Sequence, residues 1–152
     1  MREDWSSLFP IDVADAEVAV VLTDWKGRIE WANPAFLRLT EYTLDEIRGC
    51  KPGPLLQGKG TDPRVIEAMH DAMTLGVEIA VTVRNYTKGG KPYDVALAIS
   101  PLHDDQGAVR HFVSVGSEVT GASPTVCQAT QARILSRLAE VLLLYQTTPE
   151  PA

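Results

Sequence analysis

Two alternating runs joined by a glycine-rich turn, Val77–Val83 and Tyr93–Ile99, constrain this chain more than any other stretch. In the first, Val77, Ile79, Val81 and Val83 alternate with Glu78, Ala80, Thr82 and Arg84. In the second, Tyr93, Val95, Leu97 and Ile99 alternate with Asp94, Ala96, Ala98 and Ser100. Successive side chains of a strand point to opposite faces, so this period marks two half-buried strands. Turning both bulky faces to one core predicts Val83 opposite Leu97, Val81 opposite Ile99 and Asn85 opposite Val95. The loop between them is then the odd-numbered Gly89-Gly90-Lys91, with a glycine in the left-handed region. Asn85 becomes a lone amide at the end of an apolar face, the first sign of a site.

The flanking segments supply the rest of a domain. Glu17–Thr23 reads as an apolar strand, Asp24-Trp25-Lys26-Gly27 as a turn and Arg28–Ala32 as a second strand. Asn33 followed by Pro34 is a helix start, with Phe36, Leu37, Leu39 and Tyr42 on its apolar face. Thr43 and Glu46 have the spacing of a capping box for a short helix ending at Gly49. Between Cys50 and Gly60, prolines and glycines leave room for one turn of helix near Leu55-Leu56-Gln57. Thr61-Asp62-Pro63 then caps a helix over Arg64–Leu75, stopped by Gly76. A last strand is expected over Val109–Val119. Strands, then short helices, then strands predict an α+β fold: a five-stranded antiparallel sheet with the helices on one face.

The ends are read separately. Residues 1–16 form an N-terminal cap, 17–120 the domain, 121–124 a hinge, 125–146 a C-terminal helix and 147–152 a disordered tail. Ile134, Leu138, Val141 and Tyr145 give that helix an apolar face. With 152 residues, one core of ordinary size is expected. A net charge of −6 without a basic stripe argues against nucleic acid or anionic membranes as partners. Cys50 and Cys127 stand apart, as in reduced cytoplasmic proteins. No apolar run reaches membrane-spanning length. His103 and His111 lack companion ligands, and no nucleophile–base pair or phosphate-binding loop occurs, so neither a metal nor catalysis is expected.

Together, TDWKGRIEWANPAFLRLTEYTLDEIRG, LLQGKGTDP, NYTKGGKPY and HFVSVGSEVT resemble the PAS domain family, and within it the light-oxygen-voltage (LOV) flavin-binding branch. The resemblance runs from Glu17 to Thr120 and implies the PAS fold. It also implies a pocket, with Gln57 and Asn85 matching two amides that bind the flavin ring and His70 matching a phosphate-contacting arginine. Thr23, Leu97 and Phe112 join them as pocket residues, beside Val21, Leu56, Ile66, Met69, Met73 and Val83. The departures fall at functional positions. Where the family reads GxNCRFLQ, this chain reads Gly49-Cys50-Lys51-Pro52-Gly53-Pro54-Leu55-Leu56-Gln57, which puts Gly53 or Pro52, not a thiol, at the photoactive position. Val95 and Gly116 stand where the family has an asparagine and a glutamine.

The resemblance therefore implies a non-catalytic sensory module. It would relay the state of its pocket, or of a partner, through the last strand to the C-terminal helix. A homodimer is expected through the outer sheet face, where His111, Val113 and Val115 lie beside Ala96 and Ala98, and through the terminal helices. A downstream signalling protein would receive the output. Two alternatives stay open: a cysteine-less photoreceptor or redox sensor holding FMN or FAD, and a structural dimerisation module with a filled core. Haem is not expected, because His70 does not match the family's haem ligand.

Overall fold

A computed structural model of the chain describes residues 18–120 and 123–124. The N-terminal cap, the C-terminal helix and the tail expected from sequence lie outside these residues. The described part is an antiparallel sheet with four short helices on one face. Its strands are β1 (Ala19–Asp24), β2 (Ile29–Ala32), β3 (Ile79–Tyr86), β4 (Pro92–His103) and β5 (Val109–Thr120). They lie in the order β2-β1-β5-β4-β3, and a two-residue β6 (Ser123–Pro124) pairs with the end of β5. The helices α1 (Pro34–Thr40), α2 (Leu44–Ile47), α3 (Pro52–Leu56) and α4 (Pro63–Leu75) all fall between β2 and β3. The fold is α+β, as the order of elements predicts.

Local chemistry fixes the helix starts. Asn33 is the N-cap of α1 and is fully buried. Its Oδ1 accepts from Phe36 N at 3.1 Å and from Val20 N at 2.9 Å, while its Nδ2 donates to Val18 O at 2.8 Å. One side chain thus caps α1 and ties it to the first strand, satisfying buried backbone groups that would otherwise cost about 1–3 kcal/mol each. In α2, Glu46 N donates to Thr43 Oγ1 while Thr43 N donates to Glu46 Oε1, a complete capping box. Asp62 caps α4, and Gly76 ends it in the left-handed conformation at φ 68°.

The central hairpin departs from the expected register. Val83 pairs with Val95, Val81 with Leu97, Ile79 with Ile99, and Asn85 with Tyr93. The loop does have three residues, but they are Lys88-Gly89-Gly90: Thr87 N donates to Lys91 O and Gly90 N to Thr87 O, each at 2.9 Å. In this loop type the left-handed residue comes last, and that residue is Gly90 at φ 88°. Moving the loop by one residue shifts the pairing by two, so each side chain keeps its face.

Two apolar clusters fill the helix side of the sheet. One joins Val21, Ile29, Phe36, Ile47 and Leu56, and the other Met69, Val83, Tyr93, Val95, Ile99 and Phe112. The opposite face is also apolar along its centre. Val20 lies across from Val115 and Leu22 from Val113, and all four are 0% exposed. Val113 and Val115, expected as part of a surface that docks another segment or copy, thus have no exposure. Beside it, His111 Nε2 lies 3.3 Å from Glu30 Oε1. The outer face keeps some exposure at β3 and β4, where Ala80 faces Ala98 and Thr82 faces Ala96. Among the described residues no helix is long and apolar enough to cross a membrane.

Candidate functional site

Between the helices and the sheet lies a cavity of about 420 Å³, within the size range of small-molecule sites. Thr23, Gln57, His70, Asn85, Leu97 and Phe112, the six candidates from sequence, all line it. So do the expected apolar residues Val21, Leu56, Ile66, Met69, Met73 and Val83.

The polar groups differ in how far the chain itself occupies them. Thr23 Oγ1 donates to the neighbouring Asp24 O at 2.9 Å, so its hydroxyl is engaged locally. Asn85 is buried and stands directly across the hairpin from Tyr93. Burial pushes the Tyr93 pKa up to about 12, against a smaller opposing effect of the neighbouring Asn85 amide. Gln57 is half-buried and caps α3 through its backbone, with N–H to Gly53 O at 2.8 Å. Its side-chain amide makes no hydrogen bond with the described residues and lies over Gly53, where a Cβ would meet Oε1 at 3.4 Å. That amide is free for a ligand.

Gln57 is held against β3 by the loop that follows it. Gly60 N donates to Tyr86 Oη at 2.7 Å, Thr61 Oγ1 donates to Arg84 O at 2.6 Å, and Gly58 N donates to Thr61 Oγ1 at 2.9 Å. The loop lies so close to the Tyr86 ring that a Cβ on Gly58 would approach Cε1 at 2.5 Å. Only glycine allows that approach. The clamp fixes the position of Gln57 relative to the strand that carries Asn85.

Sequence reasoning missed two groups of residues. Tyr93 looked like one more core position in an alternating strand, and only the two-residue change of register brings it opposite Asn85. Trp25, Lys26 and Lys51 also line the cavity. Trp25 and Lys26 read as a solvent turn and Lys51 as part of a proline-rich connection. Their signal is three-dimensional, since the β1–β2 turn and the start of α3 meet only in the fold.

The cavity does not fit a flavin held and photoactivated in the LOV manner. The Cys50 thiol is not on its wall, and Sγ lies 3.7 Å from Glu46 O as a donor. At the far wall, a Cβ on Gly116 would come 2.9 Å from Val95 Cγ2 and 3.2 Å from Leu97 Cδ1. The room for a longer side chain at position 116 is taken by its neighbours. A ring whose polar edge faced this wall would meet a valine methyl and a glycine, and each buried polar atom left unpaired costs about 1–3 kcal/mol. Among the described residues no cluster could hold a metal ion.

An antiparallel sheet, helices inserted in mid-sequence over one face, and a cavity between the two define the architecture. The PAS domain model matches residues 17–121, and the chain belongs to that family, in its LOV-like branch. Similar curated proteins include the blue-light-activated histidine kinase of Brucella canis, 43% identical over 94 residues, covering 60% of this chain and 19% of that protein. The protein of the same name from Brucella anthropi is 42% identical over 92 residues, covering 60% of this chain and 18% of that protein. The chain thus spans less than a fifth of the length of these relatives. Among solved structures, the light state of the aureochrome1 LOV domain superposes with a TM-score of 0.65 at 28% identity, covering 86% of this chain and 95% of that one. The LOV domain of the Erythrobacter litoralis EL346 blue-light-activated histidine kinase gives 0.64 at 25% identity, covering 68% and 97%. The described region is a PAS/LOV sensory domain related to blue-light-activated histidine kinases.

Proposed function

We propose that this chain is a non-catalytic input module that binds a small molecule reversibly in the cavity and signals its occupancy. The observation that carries this reading is the free Gln57 amide on the wall of a largely apolar cavity. An apolar wall with a few polar groups is the usual makeup of a small-molecule site. A filled dimerisation core would leave no such volume.

The relay runs through β5. Phe112, Ser114 and Gly116 line the cavity, whereas Val113 and Val115 are packed on the opposite face. β5 is paired on both sides, with β1 and β4. A ligand that moves one face of this strand shifts the packing of the other, and so the segment that follows Thr120. A ligand drives such a shift only by its differential affinity for the two arrangements. Output passes to a signalling partner, and two copies pair through the part of the outer face left open at Ala80, Ala96 and Ala98.

The test is an absorbance spectrum of the purified chain, with mass spectrometry of what denaturation releases. The expected result is a non-flavin organic molecule, or an empty chain that small molecules stabilise against heat. Stoichiometric flavin with a flavin spectrum would replace this reading with that of a cysteine-less photoreceptor or redox sensor. No stabilisation by any compound in a broad panel would leave the structural module.

A further inference from the structure

The cavity wall is electrically one-sided. The chain as a whole carries 20 acidic and 14 basic residues. Yet the cavity is lined by Lys26, Lys51 and His70 and by no carboxylate. The three come from separate elements: the β1–β2 turn, the residue that starts α3, and α4. Among the described residues, neither lysine makes an ion pair. Lys26 Nζ lies 5.1 Å from the Trp25 ring centroid, and its backbone is fixed by N–H to Asp24 Oδ1 at 2.9 Å. Opposing charges stand outside the wall: Asp24, whose Oδ1 also accepts from Arg28 N, beside Lys26, and the exposed Glu67 and Asp71 flanking His70 on α4. All three basic residues are exposed, whereas Val95 and Phe112 on the sheet wall are buried. A cationic mouth therefore opens onto an apolar interior.

We propose that the ligand is an amphiphilic organic anion. Its carboxylate, sulfonate or phosphate lies at Lys26 and Lys51, and its hydrocarbon or aromatic body lies against Val95, Leu97 and Phe112. Lys26 and Lys51 are then specificity-determining residues: they select the charge, and the closed wall at Gly116 selects a body without hydrogen-bonding edges. Local positive potential in an acidic chain attracts such a ligand where the net charge alone would repel it. The inference rests on the reading of the cavity as a ligand site.

The test titrates the full chain with two fluorescent probes of one shape, anilinonaphthalene sulfonate and its neutral counterpart N-phenylnaphthylamine. The expected result is tighter binding of the sulfonate, by roughly five- to tenfold at low salt and less at high salt, the scale of two exposed charge contacts. In the Lys26→Gln/Lys51→Gln variant that preference disappears, while the neutral probe binds as before. Decanoate displaces both probes better than decanol does. Equal affinities, or a preference that survives the double substitution, would overturn the cationic mouth and leave the cavity reading intact. Displacement by FMN in preference to decanoate would overturn the apolar body. Failure of both probes to bind would overturn the inference and the cavity reading together.

Discussion

Gly116 and Val95 form one packing unit: a Cβ on the glycine would stand 2.9 Å from Val95 Cγ2, and Leu97 Cδ1 closes the other side at 3.2 Å. The resemblance to LOV domains implies an amide at each of these two positions. Here the pair has become a methyl group over a bare backbone, so neither change leaves a polar group stranded. Gly116→Gln alone is expected to overpack this wall and cost about 1–3 kcal/mol. Val95→Asn alone buries an amide without a partner, at a similar cost. Together they are expected to cost less than their sum by at least about 0.5 kcal/mol, because the two introduced amides can hydrogen-bond each other. Urea denaturation of the four chains measures the coupling, and strict additivity would contradict the account.

The loop after Gln57 gives a second expectation. Gly58→Ala places a methyl group into the Tyr86 ring, whose hydroxyl is held by Gly60 N. A loss of about 1–3 kcal/mol is expected. The double variant Gly58→Ala/Tyr86→Ala, in which the ring is absent, should lose less than the two single changes combined. Thermal melts of the four chains check this.

Asn33 joins the first strand to α1 through three hydrogen bonds and has no exposed surface. Asn33→Ala is expected to leave the Val20 and Phe36 amides and the Val18 carbonyl without their partner. At about 1–3 kcal/mol for each unsatisfied buried group, it should be the most damaging single change away from the cavity. Asn33→Asp keeps the acceptor, and a protonated carboxyl can also donate to Val18 O, so at acid pH it should fall between alanine and the native chain. Ionised at neutral pH, it buries an unpaired charge and should lose that rank. Equilibrium unfolding decides the order.

The buried phenol sets an alkaline limit. In the folded chain the Tyr93 pKa stands near 12, against an ordinary value of 10.0. The unfolded chain therefore ionises first as pH rises. Stability associated with the neutral phenol is complete below pH 10 and is lost as pH climbs toward 12. Ultraviolet titration should show a late tyrosine that is missing in Tyr93→Phe, and that variant should lose less stability over the same range. A Tyr93 that titrates at its ordinary value would refute the burial assigned to it.

Much of this was legible in the residues, and the exceptions share a cause. Asn33-Pro34 and Thr43 with Glu46 announce helix starts, because a cap is satisfied within a few residues of itself. The faces of the hairpin were also legible, since alternation survives a two-residue slip. The register was missed: the left-handed residue of such a loop comes last, which would be Lys91 in Gly89-Gly90-Lys91 but is Gly90 in the loop that forms, Lys88-Gly89-Gly90. On the outer face, alternation puts Val113 and Val115 on one side, and both are without exposed surface; what covers them is not written in that alternation. The cationic mouth went unseen because Lys26 and Lys51 come together only when a turn and a distant helix start enclose one cavity.

The account turns on β5 sensing what the cavity holds. Amide hydrogen exchange of the full chain, with and without saturating anilinonaphthalene sulfonate, tests this most directly. Slower exchange along Ser114–Val119 in the occupied chain is the expected result. Unchanged exchange throughout β5, while the cavity is demonstrably filled, would contradict it.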